Sequence, residues 1–263
     1  MVLKKCLPAV LIILFSTTAA RSQLKYDFPQ FFDETGHYFT APLHWDQGDV
    51  LAVGGLAAGT AVSAVLESPE RSIKFVSRSL YNSFPVQFGN MYGGFWGPAI
   101  LFAGYGGYSL ITGDMTARKI GYEIGQSLIY AGVIVTAVKI AAGRARPYAG
   151  DGKASFVPFS LFDDSHHSFP SGHVTVAFCL STVLALNAEP LWLKILAFAP
   201  AAFTPFARVY QGNHWISDCV FGAGIGFFTA KWCVDTHGRT DDGKKANIEV
   251  NSLWPFSFSV ALD

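Results

Sequence analysis

Six apolar segments separated by polar connections are the feature that most constrains how this chain folds. Of its 263 residues, 51% are hydrophobic and only 14% are charged. The apolar residues show no strong helical periodicity, which is typical of helices covered on most sides. Several segments approach the roughly 20 residues that a bilayer-crossing helix needs. The sequence therefore predicts an all-α protein, a membrane-embedded helical bundle of about six core helices formed by Val50–Leu66, Tyr92–Thr112, Ile120–Ala142, Gly172–Asn187, Leu191–Arg208 and Ile216–Val234.

The two ends of the chain differ from this apolar region. Lys4 and Lys5 precede an apolar run and then small residues up to Ala20, a pattern that predicts a secretory signal peptide. The next stretch is rich in aromatic residues, and it suits either an interfacial membrane segment or a packing strap across the helices. The last residues alternate weakly and suit a β-hairpin, a docking strand or an ordered tail. The predicted organisation is a signal peptide over residues 1–22, an aromatic segment over 23–48, a helical catalytic domain over 49–235 and a C-terminal tail over 236–263.

Three short polar stretches lie among the apolar segments: KIAAGRARP at Lys139–Pro147, PSGH at Pro170–His173 and ARVYQGNHWISD at Ala207–Asp218. A dianionic phosphate is held best by several fixed cations, because arginine gives planar bidentate bonds and lysine a mobile point charge. Lys139, Arg146 and Arg208 are the candidates for that role. The three stretches predict a site that moves a phosphoryl group without a metal ion or other cofactor.

Two histidines in these stretches are candidates for the reactive groups. A neutral imidazole can attack phosphorus when its other ring nitrogen donates to a carboxylate that fixes the tautomer. His214 and Asp218 are four residues apart, a spacing that places two side chains on one face of a helix. His173 follows Ser171 and Gly172, whose backbone NH groups at a helix start can cradle phosphate oxygens. We therefore predict that His173 is the general acid.

The three stretches also resemble a family pattern. The first matches K-x6-RP, the second is PSGH, and the third matches SR-x5-H-x3-D except at Ala207, where the pattern has serine. On these residues the chain resembles the phosphatidic acid phosphatase type 2 and vanadium haloperoxidase superfamily. The resemblance implies a helical-bundle enzyme with His214 as the phosphorylated nucleophile, Asp218 as its orienting partner and His173 as the acid. It also implies that the phosphoryl group is bound by Lys139, Arg146, Arg208, Ser171 and Gly172, with one hydroxyl donor missing at Ala207.

Other polar and sulfur-containing residues receive no catalytic role. Arg144 lies between two motif positions, and we expect it to face solvent or lipid headgroups. The stretch Asp163–His167 has no recognisable metal-ligand spacing, so we assign it no metal. Cys179, Cys219 and Cys233 are expected to be small buried side chains. A formal net charge of zero argues against nucleic-acid binding, which requires a basic surface.

Two expectations concern the membrane. Val50–Leu66 is short and rich in glycine and alanine, and we expect it to pack against the bundle without crossing the bilayer. Ser68 and Pro69 form an N-cap and first-turn pair, which predicts a short surface helix that includes Leu80 and Phe84. The protein is placed in the cell envelope, with the active site facing the periplasm or the exterior.

The leading functional prediction is a metal-independent phosphohydrolase that acts on a lipid phosphate or lipid diphosphate. Apolar helices around the pocket favour such a substrate, for example phosphatidate, a polyprenyl diphosphate or a lipid A phosphate. One alternative is a vanadate-dependent haloperoxidase, which would hold vanadate on His214. The others are a soluble exported nonspecific acid phosphatase and a non-catalytic membrane module that binds lipid phosphates.

Overall fold

The computed structural model describes residues 25–68 and 80–241. Within these ranges the chain forms eight α-helices and three short 3-10 helices, and it contains one isolated β-bridge and no β-strand. The predicted signal peptide, residues 69–79 of the predicted short helix and residues 242–263 of the tail lie outside the described residues. The helices are α1 (Phe28–Thr40), α2 (Gln47–Leu66), α3 (Phe84–Gly93), α4 (Trp96–Thr112), α5 (Met115–Ala142), α6 (Gly172–Leu186), α7 (Leu191–Tyr210) and α8 (Ile216–Asp241).

All six predicted apolar segments are helical, and the all-α prediction is confirmed for the described residues. The second segment is divided, because Tyr92 belongs to α3 and Gly94 and Phe95 separate it from α4. The aromatic segment contains a helix of its own, α1, which begins after Asp27. The last helix continues past residue 235, the predicted end of the catalytic domain, to Asp241.

Local signals in the sequence explain where several helices begin and end. Asp46 and Asp49 form a reciprocal capping box at the start of α2. Asp114 caps α5 by accepting a hydrogen bond from Ala117 N at 2.8 Å. Gly143 ends α5 with a φ of 57°, a left-handed conformation that glycine adopts without a Cβ penalty. The chain therefore turns sharply at Gly143 and runs back over the end of the bundle.

The central helix is α6, which packs against α3, α5, α7 and α8. Ala177, Leu180 and Val183 on this helix are completely buried. Gly222 of α8 permits a close approach, because a Cβ at this position would lie 2.6 Å from the Ser171 carbonyl oxygen. This contact brings the beginnings of α6 and α8 together, where the second and third polar stretches lie.

A second polar cluster ties α1 to the bundle. The rings of Tyr38 and Tyr130 stack with centroids 4.6 Å apart. His237 is fully buried, and its ring nitrogens lie 3.2 Å from Glu34 Oε2 and 3.1 Å from Glu123 Oε1. The residues just after position 235, which the sequence analysis assigned to the tail, therefore belong to the packed helical domain.

Two of the described helices are long and apolar enough to cross a membrane, Gln47–Leu66 and Met115–Ala142. Only 6% of the apolar window of α2 is buried, and Leu51, Val65 and Leu66 are largely exposed. At 20 residues, α2 is not too short to cross, in contrast to the prediction. An exposed apolar surface of this extent suits lipid better than water.

Candidate active site

The three polar stretches are joined directly by hydrogen bonds. Ser171 N donates to Asp218 O at 3.0 Å, which connects the second stretch to the third. The indole Nε1 of Trp215 donates to Ala145 O at 2.9 Å, which connects the third stretch to the first. The predicted site residues thus lie on neighbouring segments, although they are far apart in the sequence.

Arg208 and Lys139 are held by uncharged oxygens. Arg208 Nη1 donates to Asn90 Oδ1 at 3.1 Å, while its Nε is buried without a hydrogen-bond partner among the described residues. Lys139 Nζ donates to His167 O at 2.6 Å. A Cβ at Gly172 would lie 4.0 Å from Lys139 Cε, so the lysine side chain is beside the start of α6. Within residues 25–68 and 80–241, neither cation is hydrogen-bonded to a carboxylate, so both positive charges can act on a bound anion.

Arg146 is held by the loop that follows the first polar stretch. Its Nε donates to Asp164 O at 2.9 Å, and its Nη2 donates to Asp164 Oδ1 at 2.7 Å. Because the Asp164 side chain is 76% exposed, solvent screens this pair and its net contribution is about 0–1 kcal/mol. Ser171 Oγ, like Arg208 Nε, is buried without a hydrogen-bond partner among the described residues. Buried donors left unused are costly, so each of these two groups is a candidate donor to the oxygens of a ligand.

His214 lies in the loop before α8, which begins at Ile216. Its Nδ1 is 2.7 Å from Ser168 O and 3.8 Å from Asp218 Oδ2. A carbonyl oxygen only accepts hydrogen bonds, so Nδ1 carries the proton and Nε2 has the free lone pair that a nucleophile needs. The two side chains do approach each other, as predicted, but they do not share a helical face, because His214 precedes the helix and its shortest hydrogen bond is to the Ser168 backbone.

Burial keeps both imidazoles of the site neutral. It lowers the pKa of His214 to about 4, although Asp218 acts in the opposite direction. It also lowers the pKa of His173 to about 3, and the positive charge of Arg208 is the next largest cause. Further contributions to the lowered pKa of His173 come from His214, Arg146 and Lys139. The positive charges of Arg208, Arg146 and Lys139 therefore all act on the imidazole of His173.

Asp218 is a hub of buried hydrogen bonds. Its Oδ2 accepts bonds from Ser168 Oγ at 2.5 Å and from Trp215 N at 2.8 Å. Its Oδ1 accepts a bond from Arg144 Nη1 at 2.6 Å. Asp218 therefore fixes both sides of His214, because Ser168 binds the imidazole and Trp215 is the next residue in the chain.

The expectation that Arg144 faces solvent or lipid headgroups is wrong. This residue is 4% exposed and bridges Asp218 to Glu67 Oε2, which lies at 3.0 Å, and it also bonds Ser217 Oγ at 2.7 Å. Glu67 is itself buried and accepts a hydrogen bond from Ser217 N. The end of α2 is thus connected to Asp218 through buried charges, a connection that a linear motif does not show.

Sequence reasoning missed Glu67, Ser168 and Asn90 as supports of the site. Ser168 lies two residues before the PSGH stretch, so its position was the only signal for it. Glu67 directly follows α2 and Asn90 lies in α3; both are far from every motif, and no spacing pointed to them. Ala207, by contrast, packs with Val86 and Tyr210 in a small apolar cluster. The methyl group at the position where the pattern has serine is therefore part of the helix packing.

The stretch Asp163–His167 serves the loop. Asp163 Oδ1 accepts bonds from Ser165 N and Oγ, and its Oδ2 lies 2.8 Å from His166 Nδ1. The hydrogen bonds from Ser165 and His166 lower the pKa of Asp163 to about 2. These contacts fix the conformation of the loop at Asp163–His166, and so they position Asp164 for its hydrogen bond with Arg146.

Comparison with known proteins finds a family model that matches part of the chain. Residues 122–241 match the family model described as the PAP2 superfamily, and this range contains all three polar stretches. The chain therefore resembles the PAP2 superfamily over somewhat under half of its length. The resemblance read from the motifs is thereby confirmed.

Curated proteins that are similar to this chain are lipid A 1-phosphatases. The one from Porphyromonas gingivalis is 30% identical over 53% of this chain and 28% of its own length. The one from Rhizobium etli is 32% identical over 48% of this chain and 57% of its own length. The chain thus spans between about a quarter and somewhat over half of the length of the relatives it matches.

The expectation that the cysteines are buried is confirmed, since Cys179, Cys219 and Cys233 are all free and buried.

A solved structure is also similar, the transmembrane PAP2 type phosphatidylglycerolphosphate phosphatase from Bacillus subtilis. It is 17% identical, and the match covers 84% of this chain and 98% of that one with a TM-score of 0.36. A TM-score at this level carries no structural conclusion.

Proposed function

We propose that this chain is a membrane phosphohydrolase that removes phosphate from a lipid phosphate or lipid diphosphate through a phosphohistidine at His214. The observation that carries the proposal is the buried Arg208 Nε, which has no hydrogen-bond partner among the described residues, together with the charges of Arg208, Arg146 and Lys139 that act on the imidazole of His173. Such a pocket offers hydrogen-bond donors and positive charge in excess of what the protein itself uses.

In the first step, His214 Nε2 attacks phosphorus in line with the bond to the leaving oxygen. A P–N bond forms as that P–O bond breaks, and the leaving oxygen takes a proton from His173. Lys139, Arg146 and Arg208 stabilise the charge on the equatorial oxygens. In the second step, water attacks the phosphohistidine and gives a proton to His173, which releases phosphate and restores His214.

The lowered pKa of His173 has a consequence for this cycle. Burial opposes protonation of this imidazole most strongly, and the three cations add to the lowering of its pKa. A bound phosphate dianion cancels much of that charge and raises the pKa of His173. Substrate binding therefore prepares the general acid for its task.

Three observations support the lipid substrate class and the membrane location. Two helices have the length and composition to cross a bilayer, the surface of α2 is apolar and exposed, and the curated relatives are named as lipid A phosphatases. We propose that the active-site end faces the periplasm or the exterior, where exported lipid phosphates are found.

The nucleophile is tested by trapping the phosphoenzyme. Turnover of a lipid phosphate with a radiolabelled phosphoryl group by the purified protein is quenched with a denaturant at neutral or alkaline pH. Phosphohistidine is then recognised because acid releases the label. Wild-type protein and His44→Ala, which changes an exposed histidine outside the motifs, should both be labelled, whereas His214→Ala should not. Label retained in His214→Ala would place the nucleophile elsewhere.

A further inference from the structure

An apolar groove of about 340 Å³ opens beside His173, between α5, α6 and the turn that joins α3 to α4. Its size lies within the roughly 300–1,000 Å³ of typical ligand pockets. We call it the His173 groove. Its lining includes Phe95, Leu128, Gly132, Val135, Val176 and His173 itself.

Glycines leave room where the groove meets the catalytic groups. A Cβ at Gly94 would lie 3.7 Å from His173 Nε2, so the groove reaches the nitrogen that gives up the proton. On α5, a Cβ at Gly132 would have no atom within 4 Å, which shows open space above this part of the helix. The groove thus extends from His173 along the part of α5 that contains Leu128, Gly132 and Thr136.

The geometry points to this groove as the binding site for a hydrocarbon chain of the leaving group, an inference that rests on the proposed function. An in-line displacement places the leaving oxygen on the side opposite His214 and next to His173. The remainder of the leaving group must then continue on the His173 side. Apart from His173 and two threonines, the side chains that line the groove are apolar, so a charged or hydrogen-bonding headgroup would be left without partners there.

A second apolar groove provides the competing site. It has a volume of about 470 Å³ and lies between α6, α7 and α8, where Phe178, Val209 and Ala223 contribute to its lining. None of the catalytic or cation residues proposed above lines it. A hydrocarbon chain begins at the oxygen that His173 protonates. His173 lines the smaller groove and not the larger one, so the smaller groove is the better site.

The test is a series of n-alkyl phosphates from ethyl to octyl phosphate, used below their micelle-forming concentrations with the full chain in lipid nanodiscs. Burial of each added methylene in the groove should raise kcat/KM of the wild-type protein about fourfold until the groove is filled. Gly132→Leu and Gly132→Trp fill the groove and should reduce that increment to below about twofold per methylene. Ala223→Trp, the matched control in the competing groove, should keep the wild-type increment.

The two Gly132 variants are expected to fold. Each replaces a helix-interior glycine with a better helix former, and the added Cβ meets nothing within 4 Å. Ethyl phosphate, the shortest substrate of the series, serves as the reference for each protein, and thermal unfolding reports that each variant is folded.

The outcomes separate this inference from the proposed function. Wild-type protein that hydrolyses ethyl and octyl phosphate equally well leaves the phosphatase proposal standing and overturns the groove assignment. If the increase in kcat/KM per methylene is lost in Ala223→Trp but unchanged in both Gly132 variants, the hydrocarbon chain binds in the competing groove. This result also overturns the assignment to the His173 groove. A wild-type protein that releases no phosphate from any ester overturns both proposals.

Discussion

The buried bridge of Arg144 between Asp218 and Glu67 gives the sharpest prediction about stability and activity. Arg144→Met keeps the length of the side chain but removes a guanidinium whose Nη atoms lie 2.6 Å and 3.0 Å from the two carboxylates. The side chains of both carboxylates are completely buried, and that of Arg144 is 5% exposed. The substitution therefore leaves two buried carboxylates without their shared cation.

Removing one partner of a buried ion pair costs about 3–5 kcal/mol, because the remaining charge is buried without compensation. The lost bond to Ser217 Oγ falls within this range and is not added to it. Lys231 provides the matched control, since it makes one ion pair at 2.6 Å with Asp235, whose side chain is 32% exposed. Lys231→Met should cost about 1 kcal/mol or less, because solvent reaches its partner.

The assay combines thermal unfolding of the purified protein with turnover of a short alkyl phosphate. Arg144→Met should unfold at a clearly lower temperature than Lys231→Met and should also lose kcat, since Asp218 then no longer holds Ser168 and Trp215 in place. Arg144→Lys keeps a positive charge but reaches only one carboxylate, so it should restore part of the stability and less of the kcat. Equal effects of Arg144→Met and Lys231→Met on both measurements would refute the bridging role.

Further predictions concern the nucleophile, its support and the orientation of the protein. Since the pKa of His214 is lowered to about 4, its imidazole stays neutral down to about pH 5, and kcat/KM corrected for substrate ionisation should fall only as the pH drops through about 4; an acid limb near 6.5 would contradict this. Ser168→Ala keeps the carbonyl that binds His214 but removes a donor to buried Asp218, so it should cost about 1–3 kcal/mol in unfolding experiments, whereas Ser165→Ala in the exposed loop should not. Ala207→Ser should change KM less than about twofold, because the side chain packs against Val86; a large fall in KM would show that the hydroxyl reaches phosphate. Asp151→Cys, in the exposed loop, should react with a membrane-impermeant maleimide added to intact cells, and labelling only after lysis would reverse the proposed orientation.

The helical architecture was largely readable from the sequence. Apolar segments of sufficient length, with Asp46 and Asp114 as caps and Gly143 as a terminator, specify where helices form through interactions between near neighbours. The candidate site residues were also readable, because Lys139, Arg146, His173, Arg208 and His214 lie in three motifs with fixed spacing. Cooperation of these residues follows from the chemistry of a phosphoryl group, which requires a nucleophile, an acid and several cations.

Only the tertiary structure decided which groups hold the reactive ones in place. His214 lies before its helix and donates to Ser168, and Arg144 is buried between two carboxylates that are 77 and 74 residues away in the chain. Local sequence does not encode such contacts, because they depend on how the loop after α5 folds back against the ends of α2 and α8. The sequence by itself determined where the helices form and which residues are candidates for the chemistry, whereas packing between distant segments determined their burial, and burial favours the neutral form of both imidazoles.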